Sequence, residues 1–264
     1  YVAASMSKGS FPMLLLSLGV FAGSGIGFGY VCPLSVGMKW FPEKKGLVTG
    51  VAVAGFGGGA ILLSSVASHF LQGGMDVLQF FRYFGLISGA VLFAASMLLV
   101  DPDEADKGAA KAGEKDYSAV FTAPFIVLVI GMFAGTFGGL LIIGNLSPIV
   151  MGAGLSKTDA ILAISLFAVG NAIGRVTWGY AFDYLGYKSI PLSLAAFAVT
   201  ALVLLAPLSN WMVLAVVALI GFGFGANFVL YASTITRKFG IESFPNLYPI
   251  CFLAYGLAGI IGPG

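Results

Sequence analysis

The sequence predicts an all-α membrane protein of two similar six-helix bundles, of which this chain holds about eight spanning helices, the fourth to the eleventh. Three observations predict it. The chain is too poor in charge for a water-facing surface, its apolar stretches have spanning length, and a glycine-rich pattern recurs at a fixed offset. Of its 264 residues, 59% are hydrophobic and 9% charged, with a mean hydropathy of +1.00. Soluble domains carry about 25% charged residues. The 38 glycines fit the same class, because glycine is commoner in membrane helices than in soluble ones.

The apolar stretches fall at 11–36, 47–71, 78–100, 120–152, 159–181, 189–208, 211–236 and 244–264, each near or above the 20 or so residues that span a bilayer. Residues 1–6 read as the tail of another. In the long 120–152 stretch, Pro124 and Pro148 mark ends or a kink, since proline donates no backbone hydrogen bond. Cys32 and Cys251 lie inside apolar runs, where a thiol behaves as a small hydrophobe. The chain opens on Tyr1 without a signal-peptide pattern and stops within an apolar run at Gly264, so it reads as a piece of a longer one.

Basic residues set the orientation. Lys39, Lys44, Lys45, Lys107, Lys111, Lys115, Lys188, Arg237 and Lys238 occupy one set of alternate loops; the other holds Lys8 and Lys157, with Arg82 at a helix start. The richer side is cytoplasmic. The segment 101–118, with six acids and three lysines, reads as a solvated cytoplasmic loop. It divides the remainder of an N-terminal bundle (1–100) from a C-terminal bundle (119–264) whose last helix is missing. The net charge of +2 is spread over short loops and forms no patch for nucleic acid.

Residues 23–41, GSGIGFGYVCPLSVGMKWF, precede 221–239, GFGFGANFVLYASTITRKF, by one constant offset. At that offset Gly23, Gly25 and Gly27 fall on Gly221, Gly223 and Gly225; Lys39 falls on Arg237, Phe41 on Phe239, Gly58 on Gly256 and Ala60 on Ala258. Transporters are commonly built from such repeats, with the substrate site near the midplane between them.

The stretch 23–60, with its Gly-rich helix, Pro-Leu step, Lys-Trp-Phe-Pro loop, basic pair and second Gly-rich helix, resembles the fourth and fifth spans of the oxalate/formate antiporter family within the major facilitator superfamily. The segment GYAFDYLGYK, 179–188, is similar to the superfamily's short signature between paired helices at Gly179, Asp183, Gly186 and Lys188. Tyr184 and Tyr187 depart from it, standing where basic residues are usual. The resemblance covers the chain. It implies twelve spans in the parent, cytoplasmic termini, a bacterial or archaeal plasma-membrane location, and exchange or uptake of small organic anions by a monomer. The related monocarboxylate porters remain in view.

Arg175 stands out, because the fifteen residues before it carry no charge and an arginine at the centre of a membrane helix costs about 2.5–3.5 kcal/mol to insert. It either reaches the cytoplasmic interface, pairs with Asp183, or faces a cavity and binds a carboxylate through its planar fork. Asp183 is eight residues on, about 12 Å along a helix, beyond direct reach. Asn171, one turn before Arg175, is placed to hold the guanidinium. The resemblance implies the third role, since the family's eighth-span arginine is its anion ligand. The family's oxalate carriers also imply a lysine in the eleventh span, where this chain aligns Tyr255. One cation suits one carboxylate, which favours a monocarboxylate such as formate or lactate over oxalate. Tyr231, Asn227, Phe252, Tyr255, Tyr30 and Asn145 are further candidates to line the site, each also readable as packing or an interhelical hydrogen bond.

His69, at an outer helix end, reads as interfacial. No metal-ligand cluster, cofactor motif or catalytic constellation is expected, and the glycine runs read as close helix packing rather than nucleotide binding. No acid lies deep in a span, so antiport or facilitated diffusion is favoured over proton symport. The rival reading is a membrane sensor or scaffold that keeps the transporter fold without transport.

Overall fold

A computed structural model describes residues 1–102 and 117–262, and in it the apolar stretches are helices. They are α1 (Phe11–Trp40), α2 (Lys45–Gln72), α3 (Val77–Ser96), α4 (Ala123–Gly144), α5 (Lys157–Leu185), α6 (Ser189–Val203), α7 (Asn210–Phe239) and α8 (Phe244–Ile261). Six stretches are long and apolar enough to cross a membrane: α1, α3, α4, α7, α8 and Lys157–Val203, in which α5 runs into α6 through the turn Gly186–Lys188. Of the expected loop 101–118, residues 103–116 lie outside the described residues.

Local chemistry sets the helix ends. Asp76 caps α3 by accepting from the Leu78 and Gln79 N–H groups, two donors with no intrahelical partner. Ser156 and Asp159 start α5 with a reciprocal capping box. Pro124 lies in the first turn of α4, where its missing N–H costs nothing. The long stretch then breaks at Asn145 and resumes as the short helix Leu146–Gly152. The break falls just before Pro148, which has no N–H to give to the carbonyl four residues back.

Two compact units emerge, Tyr1–Val36 with Gly59–Asp103, and Gly37–Gly58 with Glu104–Gly264; α1 and α2 contribute to both. In the first, the Val2–Ser5 helix packs on α3, where Gly85 leaves room for Tyr1 and Val2, and the Tyr1 ring meets Phe84 edge-on at 5.0 Å.

The second unit is organised by close backbone approach. A Cβ on Gly170 or Gly174 of α5 would run into the Ala218 and Phe222 carbonyls of α7, and one on Gly221 or Gly225 of α7 would run into the Phe167 and Asn171 carbonyls of α5. Glycine spaced by four therefore brings α5 and α7 together along matched stripes, the packing that small residues allow in lipid. The first part of α2 meets the opposite flank of α5 with the reverse chain direction: Gly46 lies on Gly179, Gly50 on Arg175 and Gly57 on Ala172. Within this unit the Thr236 hydroxyl lies 3.4 Å from the Met38 sulfur. These two residues are counterparts in the sequence repeat.

Candidate functional site

Arg175 is only 8% exposed, and its backbone is hemmed in before its side chain is placed. Gly225 of α7 leaves space for its amide nitrogen, and Gly50 of α2 for its carbonyl. The side chain leaves α5 at this crossing. Its Nε donates to Asn171 Oδ1 at 2.8 Å, and its Nη1 donates across to the Val53 carbonyl of α2 at 2.5 Å. The Phe228 ring of α7 covers the guanidinium at 4.6 Å.

Phe228 opens onto an aromatic group. Tyr255 meets it edge-on at 5.3 Å, Phe252 lies 6.3 Å away, and the Tyr255 and Phe252 rings are 5.1 Å apart. The Tyr248 hydroxyl donates to the Phe228 carbonyl at 3.4 Å, tying α8 to α7 at this level.

These contacts account for the charge. Hydrogen bonds to an ionised group contribute about 1.5–3 kcal/mol each and a desolvated cation over a ring up to about 2 kcal/mol. Together they exceed the insertion cost of about 2.5–3.5 kcal/mol. The interfacial and Asp183-paired alternatives do not describe the geometry: Nε turns back toward Asn171, and the Asp183 carboxylate is engaged elsewhere.

Of the residues expected from sequence, Arg175, Tyr255 and Phe252 pack on Phe228, and Asn171 holds Arg175. Asn227 and Tyr231, 2% and 1% exposed, face α4 instead. The Asn227 Nδ2 donates to the Phe224 carbonyl of its own helix, and its Oδ1 lies over Gly135. The Tyr231 hydroxyl lies over Gly131 and has no hydrogen-bond partner among the described residues. Asn145 sits at the α4 break, its Nδ2 donating to Leu141. Tyr30 is buried on the part of α1 that belongs to the first unit. Sequence reasoning missed Phe228 and Val53. The first is one of 23 phenylalanines, and the second contributes only a backbone carbonyl.

The 179–188 segment forms a second constellation. Asp183 Oδ1 accepts from Gly46 N–H at 2.8 Å and Oδ2 from Leu47 N–H at 2.9 Å, so one carboxylate satisfies two free donors of the α2 N-terminus and faces its positive end. Gly179 and Gly46 make this possible, since a Cβ on either would meet the other's carbonyl. At Gly186, φ is +58°, a conformation that suits glycine, and the Arg237 guanidinium fills the side where a Cβ would lie. Arg237 stands 5.8 Å from the Phe182 ring and 5.5 Å from the Tyr187 ring. Arg237 of α7 thus lies over Tyr187, one of the two positions where the signature usually has a basic residue. Lys188 is exposed. A cavity of 240 Å³ here is lined by Pro42, Glu43, Lys45, Phe182, Asp183 and Arg237. Among the described residues no group of His, Cys, Asp or Glu is arranged to hold a metal ion.

The model of the Major Facilitator Superfamily matches residues 1–263. The oxalate:formate antiporter of Oxalobacter formigenes is 30% identical over 266 residues, covering 95% of this chain and 61% of that protein. The uncharacterized transporter YhjX of Escherichia coli (strain K12) is 27% identical over 258 residues, 94% of this chain and 63% of that protein. Monocarboxylate transporter 12 of Xenopus laevis is 23% identical over 198 residues, 66% of this chain and 42% of its own length. The chain therefore spans about three fifths of the length of the first two.

Proposed function

The chain belongs to the Major Facilitator Superfamily, a family of multi-pass membrane transporters, and from that premise we propose that it carries small organic anions across the plasma membrane by alternating access, with Arg175 as the anion ligand. One observation carries the reading. A single buried guanidinium is held at a three-helix crossing, with Asn171 behind it, the Phe228 ring over it, and Tyr255 and Phe252 packed on Phe228. A carboxylate there gains charge-assisted hydrogen bonds from a fork that keeps its charge at any physiological pH.

The similarity to an oxalate:formate antiporter and a monocarboxylate transporter supports the carboxylate class. Within it, Tyr255 stands where the family's oxalate carriers are expected to have a second cation, and one arginine suits one carboxylate, which favours a monocarboxylate such as formate or lactate over oxalate. Exchange or uniport is favoured over proton symport, because no acid lies deep in the apolar stretches of the sequence. Asn227, Tyr231, Tyr30 and Asn145 stay in the proposal as residues that meet the substrate path in other conformations. Residues 1–100 and 119–264 act as the two bundles that rock about the site, and the Asp183 tie to α2 holds one conformation closed. The carrier works as a monomer, without metal or cofactor, and performs no chemistry on its cargo.

The test is counterflow in liposomes with labelled formate, lactate and oxalate. The reading predicts uptake accelerated by anion on the opposite side, and its loss in Arg175→Gln. Wild type that moves none of the three contradicts it and favours the sensor or scaffold reading.

A further inference from the structure

Asn171, Phe228 and the Val53 carbonyl all touch the Arg175 guanidinium, and they are not equivalent. Asn171 lies one turn back on the same helix and moves with the arginine. Phe228 takes a face of the plane, whereas a carboxylate approaches the N–H edges. The Val53 carbonyl occupies an edge, from a different helix.

Val53 is 1% exposed, inside α2 rather than at its end. A carbonyl in a helix interior already accepts a bond from the N–H four residues on, and its second lone pair is to spare. Losing Arg175 therefore leaves it satisfied. A carboxylate bears a full charge and makes the stronger bond to the same N–H.

We propose that the Val53 carbonyl is a built-in stand-in for the substrate carboxylate, holding Arg175 and α2 together until an anion displaces it. The proposal rests on Arg175 being the anion ligand. Its consequence is a lowered apparent affinity, because only the fraction of carriers whose guanidinium has left Val53 is competent to bind. A second consequence concerns motion. The first part of α2 is tied to α5 at two levels, by Asp183 to Gly46 and Leu47 and by Arg175 to Val53. The inner tie is the one that the anion breaks. An empty carrier stays tied and a loaded one is released, a bias toward exchange over leak.

The experiment weakens the carbonyl and leaves every side chain in place. In the intact carrier, Ala54 is replaced by its α-hydroxy analogue, lactic acid, so that the Val53–Ala54 amide becomes an ester with a poorer acceptor oxygen. The same replacement at Val53, which alters the Ala52 carbonyl, controls for the lost helix hydrogen bond. Binding and net efflux of labelled lactate are measured beside Arg175→Gln. The expected result is an apparent affinity tightened roughly threefold to tenfold, with faster efflux into anion-free buffer, at position 54 alone. Weaker binding at position 54 would make the carbonyl a support for Arg175 and overturn the proposal, and so would equal effects at both positions. Normal binding by Arg175→Gln would instead overturn the site on which the proposal rests.

Discussion

At the scale of single residues, Asn171 is the sharpest probe of what Arg175 is for. Its amide oxygen accepts from Nε without altering the net charge. Asn171→Asp preserves shape but sets a carboxylate against the guanidinium, an internal anion competing with the substrate. We expect Asp to weaken anion binding by roughly tenfold or more, and Asn171→Ala, which loosens the arginine without neutralising it, by less. If Asn171 merely filled space, the order would reverse, and an affinity measurement on the two variants decides between them. Arg175 and Asn171 were legible in the sequence because a charge in an apolar run has a cost that demands a partner one turn away. Phe228 was not: one ring among many carries no mark of which cation it will cover. The Val53 carbonyl was illegible in principle, since every residue has one.

Helices were legible as elements, since apolar runs of spanning length and their breakers leave a one-dimensional trace. The stretch 159–181 became α5, with its capping box just upstream, and 244–264 became α8. Their partners left no such trace. The glycine stripes announced close packing, but which helix fits against which depends on contacts far apart in sequence. Gly174 gives a test. A Cβ there meets the backbone of Phe222, which cannot move aside as a side chain would. Gly174→Ala should therefore destabilise the protein by about 1–3 kcal/mol, whereas Gly256→Ala, which meets open space, should be neutral. Thermal unfolding midpoints in detergent will show whether the two separate. Asp183 tests the other packing edge. Asp183→Ala removes both acceptors from the α2 N-terminus, a loss of about 0.5–2 kcal/mol by analogy with helix caps. Faster hydrogen exchange at the Gly46 and Leu47 amides is the expected sign, and unchanged protection would show that the tie does not hold the helix.

For the whole molecule, charge poverty and the repeat carried the fold. Two counterparts of the repeat, Met38 and Thr236, lie in contact. Function is less evenly written. Most of the sequence specifies a set of packed helices in lipid, and the proposed function rests on Arg175 and a few groups around it. The central question is whether an anion binds at Arg175. Saturation binding of labelled lactate to the purified intact carrier, wild type against Arg175→Gln, measures this directly, without the translocation steps that complicate flux. If Arg175 holds the anion, the wild type binds saturably and the variant about tenfold to a hundredfold more weakly. Equal binding by the two proteins would contradict it and leave Arg175 as a packing residue.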